Sequence, residues 1–331
     1  MKKTILLIGT LPPPVGGVTI HLERFFEINK KNKFFDLFLL DIRKKCIYYN
    51  DGCKKIINIL NVFFRADLIH IHISNNFKIV FALIAKLFFK KIIYTHHNSR
   101  INNNLLFKIF ITLCDYLIFV NENFVVKNKH LFKNKPYKII PAFIQPRTFE
   151  ALPENLTDQI QRSSFTISTN CAIDVYFENK LMYGFDLLIA AFIKLANSNR
   201  ISNSLLLLID PAGNLERIVS SLLGKNEILN NCKIMYVPKK IDFSSLIKKS
   251  DLIVRATRTD GDSLTVREAL FFRKPIIASD CAERPIGTIL FQNDNSDDLS
   301  RKIEDVFNNQ ISNTSELKDF NDQVLKIYEI F

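Results

Sequence analysis

Several common signatures are absent from this sequence, and each absence excludes a class of protein. The six cysteines among its 331 residues form no CxxC pair, so we expect reduced core cysteines in a cytoplasmic protein. No GxGxxG motif follows a strand pattern, which disfavours a dehydrogenase with a dinucleotide cofactor. No apolar run approaches the roughly 18–20 residues that span a bilayer. The apolar stretch at the N-terminus is too short for a signal peptide.

Charge is distributed unevenly along the chain. Residues 1–150 carry 24 Lys and Arg against nine Asp and Glu, a net charge of +15, whereas the remaining residues have a net charge of −3. A composition rich in Lys, Asn and Ile contributes to the positive net charge of the chain, but it does not explain why only the first half is basic. The asymmetry predicts an acidic partner for the first half: phospholipid, a lipid-phosphate acceptor or nucleic acid. Because no interleaved aromatic and basic motif is present, we expect no nucleic-acid partner.

Strand and helix patterns alternate twice along the chain, and 47% of the residues are apolar. The first series occupies residues 1–150, and the second occupies a predicted domain of residues 151–331. Prolines mark the linker between them, at Pro141, Pro146 and Pro153. The alternation predicts an α/β fold of two doubly wound, Rossmann-like domains that face each other across a cleft. The last helix is expected to cross back to the first domain.

Two polar segments follow predicted strands in the first domain. PPPVGG, residues 12–17, comes after the first strand, and its glycines Gly16 and Gly17 allow close backbone approach and positive φ before a helix begins. THHNS, residues 95–99, comes after a later strand and contains His97. Ligands of parallel sheets bind at the carboxyl ends of the strands, so both segments are candidates for a site.

The strand pattern DLIHIHI, residues 67–73, places His70 and His72 on one face. Two histidines can begin a metal site, but no third ligand is spaced to complete one. We therefore expect no metal.

The most informative stretch is a strand, polar turn, helix and strand at residues 251–279. Its helix start offers unpaired N–H groups suited to a phosphate. Asp260 in the turn and Glu268 in the helix are eight positions apart, and carboxylates beside an anion site are suited to accept hydrogen bonds from sugar or ribose hydroxyls. The alternative is a capped surface helix with Asp262 or Ser263 as N-cap.

Taken in order, these motifs resemble one family over nearly the whole chain. The segments that carry the resemblance are PPPVGG, DLIHIHIS, YTHHNS, KIIPAFIQP, YGFDLLIAAF and TDGDSLTVREAL. They resemble the GT-B glycosyltransferases of family four, which are retaining nucleotide-sugar enzymes common in bacterial surface polysaccharide synthesis. The family is marked by two acidic residues separated by seven, usually both glutamates. Asp260 and Glu268 occupy these places here.

The resemblance implies a role for each matching residue. Glu268 would accept hydrogen bonds from the nucleotide ribose, Asp260 would hold hydroxyls of the transferred sugar, and His97 would contact the donor sugar. These three are the predicted catalytic residues. The predicted donor-binding residues are Gly16, Gly17, Gly261, Asp262, Ser263, Leu264, Thr265, Arg255 and Arg267.

One part of the family pattern is missing. Family members usually carry an Arg and a Lys at the start of the second domain that neutralise the diphosphate. This chain has Tyr183 where the Lys is expected, and it has no matching Arg. A leaving diphosphate needs cationic or N–H partners. The candidate cations are Lys180, Arg255, Arg258, Arg267 and Arg284, and the sequence does not choose among them.

The activity that the resemblance implies is transfer of a hexose-type sugar from a nucleotide sugar, with retention and without a metal or other cofactor. The acceptor would be a lipid-linked compound, an oligosaccharide or a polysaccharide, in capsule, lipopolysaccharide or exopolysaccharide synthesis. A nucleotide-sugar epimerase of the same double-domain fold is the alternative.

We also expect a cytoplasmic protein that associates peripherally with the inner face of the cytoplasmic membrane. Its basic first domain would provide the attraction, about 1 kcal/mol for each Lys or Arg near an anionic surface. The lysine-fringed apolar helix predicted at residues 77–91 would rest on the membrane. The alternative is that this helix is buried core.

Overall fold

The computed structural model describes residues 2–13, 15–55, 59–98, 101, 104–171, 176–224, 228–309, 317 and 319–331. The chain divides into two compact units. The N-terminal unit consists of Met1–Ile144 and Asp319–Phe331, and the C-terminal unit consists of Gln145–Lys318.

The N-terminal unit is built on a mainly parallel sheet of eight strands. The strands are β1 (Lys3–Gly9), β2 (Phe35–Asp41), β3 (Cys46–Tyr49), β4 (Gly52–Lys55), β5 (Leu68–Ile71), β6 (Lys91–His96), β7 (Tyr116–Phe119) and β8 (Tyr137–Ile139). Their order is β4-β3-β2-β1-β5-β6-β7-β8. Ile5 and Leu6 in β1 are fully buried, as expected for a central parallel strand covered on both faces.

Five helices and a short 3₁₀ turn connect these strands. They are α1 (Gly17–Asn29), α2 (Ile59–Arg65), α3 (Phe77–Leu87), α4 (Asn104–Leu113) and α5 (Glu122–Asn128), with the 3₁₀ turn at Lys129–Leu131. The carboxyl ends of β1, β5 and β6 are adjacent because these strands pair in parallel.

The C-terminal unit repeats the architecture with a sheet of seven strands and a separate two-stranded ribbon. Its strands are β9 (Phe165–Asn170), β10 (Tyr176–Phe177), β11 (Lys180–Leu181), β12 (Ser204–Ile209), β13 (Ile228–Leu229), β14 (Cys232–Val237), β15 (Leu252–Arg255), β16 (Ile276–Ser279) and β17 (Ile289–Phe291). The seven are ordered β13-β14-β12-β9-β15-β16-β17, and β10 pairs with β11.

The helices of the C-terminal unit are α6 (Glu154–Arg162), α7 (Phe185–Asn197), α8 (Glu216–Leu223), α9 (Phe243–Lys249), α10 (Leu264–Phe271) and α11 (Ser296–Phe307). One core cluster packs α7 and α11 against the sheet, with Phe185, Phe192 and Leu299 fully buried. A second cluster packs α10 against β15 and β16. The α10 cluster fixes the helix that carries Glu268.

The last helix, α12 (Asn321–Tyr328), belongs to the N-terminal unit. Val324, Ile327 and Tyr328 pack in the same cluster as Ile5 and Leu7 of β1. This apolar contact explains why the end of the chain groups with the first half of the sequence.

Gly184 is required by the close packing of the C-terminal unit. It precedes α7 with a φ of +65°, and a Cβ at this position would lie 2.0 Å from the carbonyl oxygen of Ala256. Only glycine avoids both the left-handed strain and the clash. The turn before α7 is thereby held directly against the end of β15.

Most predicted elements are present, with a few differences. The antiparallel hairpin β3–β4 was not predicted, because each of its strands has only four residues. His96 lies within β6 and not in the loop that follows. The predicted helix at 315–330 includes residues 315, 316 and 318, which lie outside the described residues. Helix α12 begins only at Asn321, whose backbone N–H donates to the Asp319 side chain.

Helix α3 packs one side on the core through Ala82, Ala85 and the partly buried Ile84, and its other side is exposed. Phe77 is 68% exposed and Leu87 is 76% exposed. Within the described residues, no helix is long and apolar enough to cross a membrane.

Candidate functional site

The C-terminal unit gathers charged side chains where β15 and β16 end. Arg255 is the last residue of β15, and Asp260 lies in the turn that leads to α10. Arg284 lies in the loop after β16. Because β15 and β16 are adjacent parallel strands, the two loops emerge side by side, as in ligand sites of α/β sheets.

Asp260 is held by two arginines. Its Oδ2 atom accepts hydrogen bonds from Arg255 Nε at 3.0 Å, Arg284 Nη1 at 2.9 Å and Thr257 Oγ1 at 3.1 Å. Its Oδ1 atom accepts from Arg255 Nη2 at 3.3 Å and from the Gly261 backbone N–H at 3.0 Å. A carboxylate has about four lone-pair sites, so these contacts saturate Asp260.

Asp260 stays ionised despite its burial. Burial alone would raise its pKa, but the guanidinium groups of Arg255 and Arg284 outweigh that effect and lower the pKa to about 2. Two guanidinium groups and one carboxylate leave this cluster with a net positive charge, which suits an anion.

The other candidate cations are also paired with carboxylates. Arg258 contacts Asp186 at 2.8 Å and Asp294 at 2.8 Å, which ties the turn before α10 to α7. Lys180 pairs with Asp294, and Arg267 pairs with Asp262. All five cations considered from the sequence therefore have acidic partners. Arg255 and Arg284 share Asp260, and Lys180 and Arg258 share Asp294.

Tyr183 lies where the family lysine is expected, and Arg255 packs on it. The guanidinium carbon of Arg255 lies 5.0 Å from the centroid of the Tyr183 ring, within the range of a cation–π contact. Arg255 donates to Asp260 through Nε and Nη2, and the described residues offer no hydrogen-bond acceptor to its Nη1. Arg284, by contrast, has a side chain only 2% exposed and donates to Ser279, Thr257 and Asp260. Of the pair, Arg255 is the more accessible to a ligand, because its side chain is 12% exposed.

Glu268 lies within α10 and is buried. Ser244 Oγ on α9 donates to its Oε2 atom at 3.3 Å. Ser263 occupies the N-cap position of α10, yet its side chain makes no capping hydrogen bond. Leu264 and Thr265 form the first turn, and Thr265 Oγ1 donates to Asn170 at the end of β9. The backbone N–H groups of this first turn have the arrangement that binds anions at helix starts.

The predicted glycines have open space around them but no unusual backbone. A Cβ added at Gly16, Gly17 or Gly261 would meet nothing within 4 Å. None of the three has positive φ, and Gly16 is extended with a φ of −163°. Gly16 and Gly17 therefore do not use the positive φ that glycine allows.

The N-terminal unit brings three histidines together at the carboxyl ends of β1, β5 and β6. His72 Nδ1 lies 3.0 Å from His97 Nε2. The ring of His21, on α1, lies 5.1 Å from that of His97 and 5.6 Å from that of His72. His21 Nδ1 lies 3.0 Å from the carbonyl oxygen of Ala142. His97 thus belongs to a cluster of rings rather than standing alone in a loop.

The neighbouring histidines have other roles. His70 contacts the Tyr328 hydroxyl at 2.6 Å and Thr95 Oγ1 at 2.7 Å, so both of its ring nitrogens are occupied. His96 is buried beside Phe124, with ring centroids 4.2 Å apart. The rings of His70 and His72, predicted to lie on one face of the strand, have centroids 4.1 Å apart, and His72 also contacts His97.

The histidine cluster is neutral at pH 7. Burial lowers the pKa of His21 to about 4 and also holds the pKa values of His72 and His97 well below the ordinary value of 6.5. Neutral imidazole keeps one ring nitrogen as a lone-pair donor.

Two important residues were not singled out from the sequence. His21 was seen only as a helix residue, although its position four residues after Gly17 placed it near the end of β1. Asp186, which directly follows the YGF segment, was not considered. Its partner Arg258 is 72 residues away in the sequence, and no local sequence pattern predicts so distant a contact.

The comparisons with known proteins bear on the fold. Protein-family models and curated proteins give no match. The solved structure of Anabaena HepE in complex with UDP and glucose is similar, with a TM-score of 0.66, 12% identity and coverage of 99% of this chain and 100% of HepE. Sucrose-phosphate synthase from Thermosynechococcus elongatus has a TM-score of 0.67 and 12% identity, covering 99% of each chain.

The fold is GT-B. S. aureus MnaA, solved with UDP, agrees with this assignment at a TM-score of 0.62 and 14% identity, covering 100% of this chain and 96% of MnaA. At such identities the likeness shows the architecture of two Rossmann-like units, as the alternation of strands and helices predicted. The GT-B fold places ligand-binding loops at the carboxyl ends of strands, where the arginine–aspartate cluster lies.

Proposed function

We propose that the chain is a glycosyltransferase that uses a nucleotide-sugar donor, and that Arg255 supplies the cation for the donor diphosphate. The observation that carries this proposal is the position of Arg255 at the end of β15, stacked on Tyr183 and oriented by Asp260. The Nη1 donor and the net positive cluster suit an anion beside the start of α10. The shared fold with HepE in complex with UDP and glucose supports a nucleotide donor.

Asp260 acts in this proposal by positioning the arginines. Its oxygens are saturated by Arg255, Arg284, Thr257 and the Gly261 backbone, so a sugar hydroxyl would have to displace one of these donors. Glu268 accepts hydrogen bonds from the nucleotide ribose. In the N-terminal unit, Gly16, Gly17 and His97 stay predicted donor contacts.

The transfer step needs no strong protein base. The bond between the anomeric carbon and the diphosphate oxygen breaks, and its electron pair stays on the nucleoside diphosphate. The acceptor hydroxyl oxygen forms the new glycosidic bond, and its proton is taken up by the released diphosphate. Cationic and N–H donors that stabilise the charge on the leaving group lower this barrier. Retained configuration at the anomeric carbon is part of the proposal.

A lipid-linked, oligosaccharide or polysaccharide acceptor in surface polysaccharide synthesis completes the proposal. The support is the exposed apolar side of α2 and α3 in the basic half of the chain, where Leu60, Phe64, Phe77, Leu83 and Leu87 are at least half exposed. Apolar side chains within a basic surface suit the interface of an anionic membrane.

The direct test is incubation of the purified chain with UDP-, GDP- and dTDP-sugars, with nucleotide binding followed by thermal shift. Binding of one nucleotide is expected to raise the melting temperature. An acceptor-dependent release of nucleoside diphosphate would support transfer, whereas release of free sugar and nucleotide without acceptor, seen by NMR, would favour the epimerase alternative. Absence of a response to every nucleotide would contradict the proposal.

The role of Asp260 has its own test. Asp260→Asn is expected to lower kcat more than it raises KM for the donor, because the guanidinium groups lose their orientation in the transition state. Asp260→Glu keeps the charge and is expected to restore part of kcat. If Asp260→Asn raised only KM, Asp260 would bind the donor directly.

A further inference from the structure

Three histidines from separate elements of the N-terminal unit form a group that can hold a metal ion. His21 comes from α1, His72 follows β5 and His97 follows β6. One ring nitrogen from each residue lies within 4.8 Å of the other two. His21 and His97 are both distant in sequence from His72, so the spacing of residues 67–73 gave no sign of this group.

The orientation of His21 suits a ligand. Its Nδ1 atom lies 3.0 Å from the carbonyl oxygen of Ala142, and a carbonyl can only accept, so Nδ1 carries the proton. The lone pair is then on Nε2. Metal-binding histidines commonly donate their other ring N–H to a backbone carbonyl in this way.

His72 and His97 are already close to ligand geometry. His72 Nδ1 and His97 Nε2 are 3.0 Å apart. Two nitrogens that are each about 2.0–2.1 Å from a tetrahedral ion are about 3.3 Å apart, so these two nitrogens already have nearly the separation of two ligands of one ion. An ion would replace the hydrogen bond that joins the two rings. The other nitrogen of His72, Nε2, is buried and has no hydrogen-bond partner in the described structure, and it would carry the proton when Nδ1 binds the ion.

The donor set selects the class of metal. The group contains three imidazoles and no carboxylate, and imidazole suits zinc, copper, iron and nickel, whereas magnesium, calcium and manganese prefer oxygen. His70 is not a ligand, because Tyr328 and Thr95 occupy both of its nitrogens.

We propose that His21, His72 and His97 form a three-histidine site for a divalent transition metal of the zinc class, with a fourth position open to water or an oxygen ligand. The ion would join α1 to the ends of β5 and β6. This site lies within the N-terminal unit and does not depend on the proposed role of Arg255 in the other unit. It gives His97 the role of a metal ligand in place of the donor contact that the resemblance implies.

The test uses the full chain made without a histidine tag and stripped with a chelator. Calorimetric titration with Zn²⁺ is expected to show one ion per chain, and Co²⁺ is expected to give the intense visible absorption of a tetrahedral site. X-ray absorption of the zinc-loaded chain is expected to show three imidazoles at about 2.0 Å. Mg²⁺ is expected to leave all of these readouts unchanged.

Variants assign the ion to these residues. His97→Gln is the main variant because His97 is partly exposed and its replacement disturbs packing least, and His21→Gln is the second. Both are expected to lose the cobalt absorption and the zinc-induced rise in melting temperature. His130→Gln, at an exposed position of the same unit, is expected to keep both. Failure of the wild-type chain to bind one equivalent of Zn²⁺, or binding that persists in both variants, would overturn the proposal.

Discussion

The guanidinium carbon of Arg255 lies 5.0 Å from the centroid of the Tyr183 ring. Tyr183 is the residue that stands where a diphosphate-binding lysine is expected, so the arginine at the end of β15 reaches the place where that charge is missing. Asp260 fixes the other side of Arg255 through Nε at 3.0 Å. Under the proposed function, a cation at the end of β15 therefore takes the place of the missing lysine.

Replacing Arg255 with Met should weaken binding of the nucleoside diphosphate by about 10- to 100-fold, since a hydrogen bond to a charged group contributes about 1.5–3 kcal/mol. Binding of the corresponding nucleoside, which has no phosphate, should change little. Calorimetry with both ligands measures the difference. Arg200→Met is the matched control, because Arg200 pairs with Glu304 in the same unit. Equal losses for nucleoside and diphosphate would contradict a phosphate contact.

Replacing Glu268 with Gln should weaken nucleotide binding by about 10-fold, because an ionised acceptor makes the stronger hydrogen bond to a ribose hydroxyl. The loss should be specific to ribose. A nucleotide that lacks the contacted ribose hydroxyl should bind the wild-type chain and the variant with similar affinity. Competition binding with ribo- and deoxyribonucleotides provides the measurement, and an equal loss for both sugars would place Glu268 elsewhere.

Ionisation of Asp260 should make the free energy of unfolding depend on pH in the acidic range. Its pKa in the folded chain is about 2, below the ordinary 3.8, so the folded state favours the ionised form. That stability, about 2 kcal/mol, is fully present above pH 4 and is lost as the pH falls towards 2. Urea unfolding midpoints of the wild-type chain should therefore fall between pH 4 and pH 2 more steeply than those of Asp260→Asn. Parallel pH profiles would show that the ion pairs with Arg255 and Arg284 do not lower this pKa.

Gly184→Ala should destabilise the C-terminal unit by more than about 2 kcal/mol, since it combines left-handed strain with a collision against the Ala256 carbonyl. Gly213→Ala separates the two effects. Gly213 also has positive φ, at +70°, but a Cβ there would lie 3.5 Å from Pro238, an ordinary contact, so a loss of only about 1 kcal/mol is expected. Thermal unfolding of both variants gives the comparison, and equal losses would show that the close approach to Ala256 does not matter.

Association with anionic vesicles should depend on the apolar side of α3. A double variant, Leu83→Gln with Leu87→Gln, should reduce sedimentation with phosphatidylglycerol vesicles several-fold, because both side chains are at least half exposed and their insertion contributes apolar burial. Leu222→Gln, an exposed leucine in the other unit, should bind as the wild-type chain does. Vesicle binding that is unchanged in the double variant would remove α3 as the contact.

The sequence by itself determined the architecture. Continuous apolar runs such as those of β1 and β12 are typical of buried parallel strands, and their alternation with helix patterns predicted two Rossmann-like units. The residue pattern predicts helices over 243–249 and 296–307, and α9 and α11 have these bounds. A polar residue, Asp242 or Asn295, caps each start through its side chain. Local chemistry sets such features, so local pattern is sufficient to predict them.

Only the tertiary structure decided which side chains meet. Arg284 reaches Asp260 across 24 residues, and His21 reaches His72 and His97 because β1, β5 and β6 are neighbours in the sheet. The sequence likewise did not show which side of α3 is exposed, because apolar residues lie around almost the whole helix. Strand order and packing fix these relationships, and neither follows from the spacing of residues along the chain.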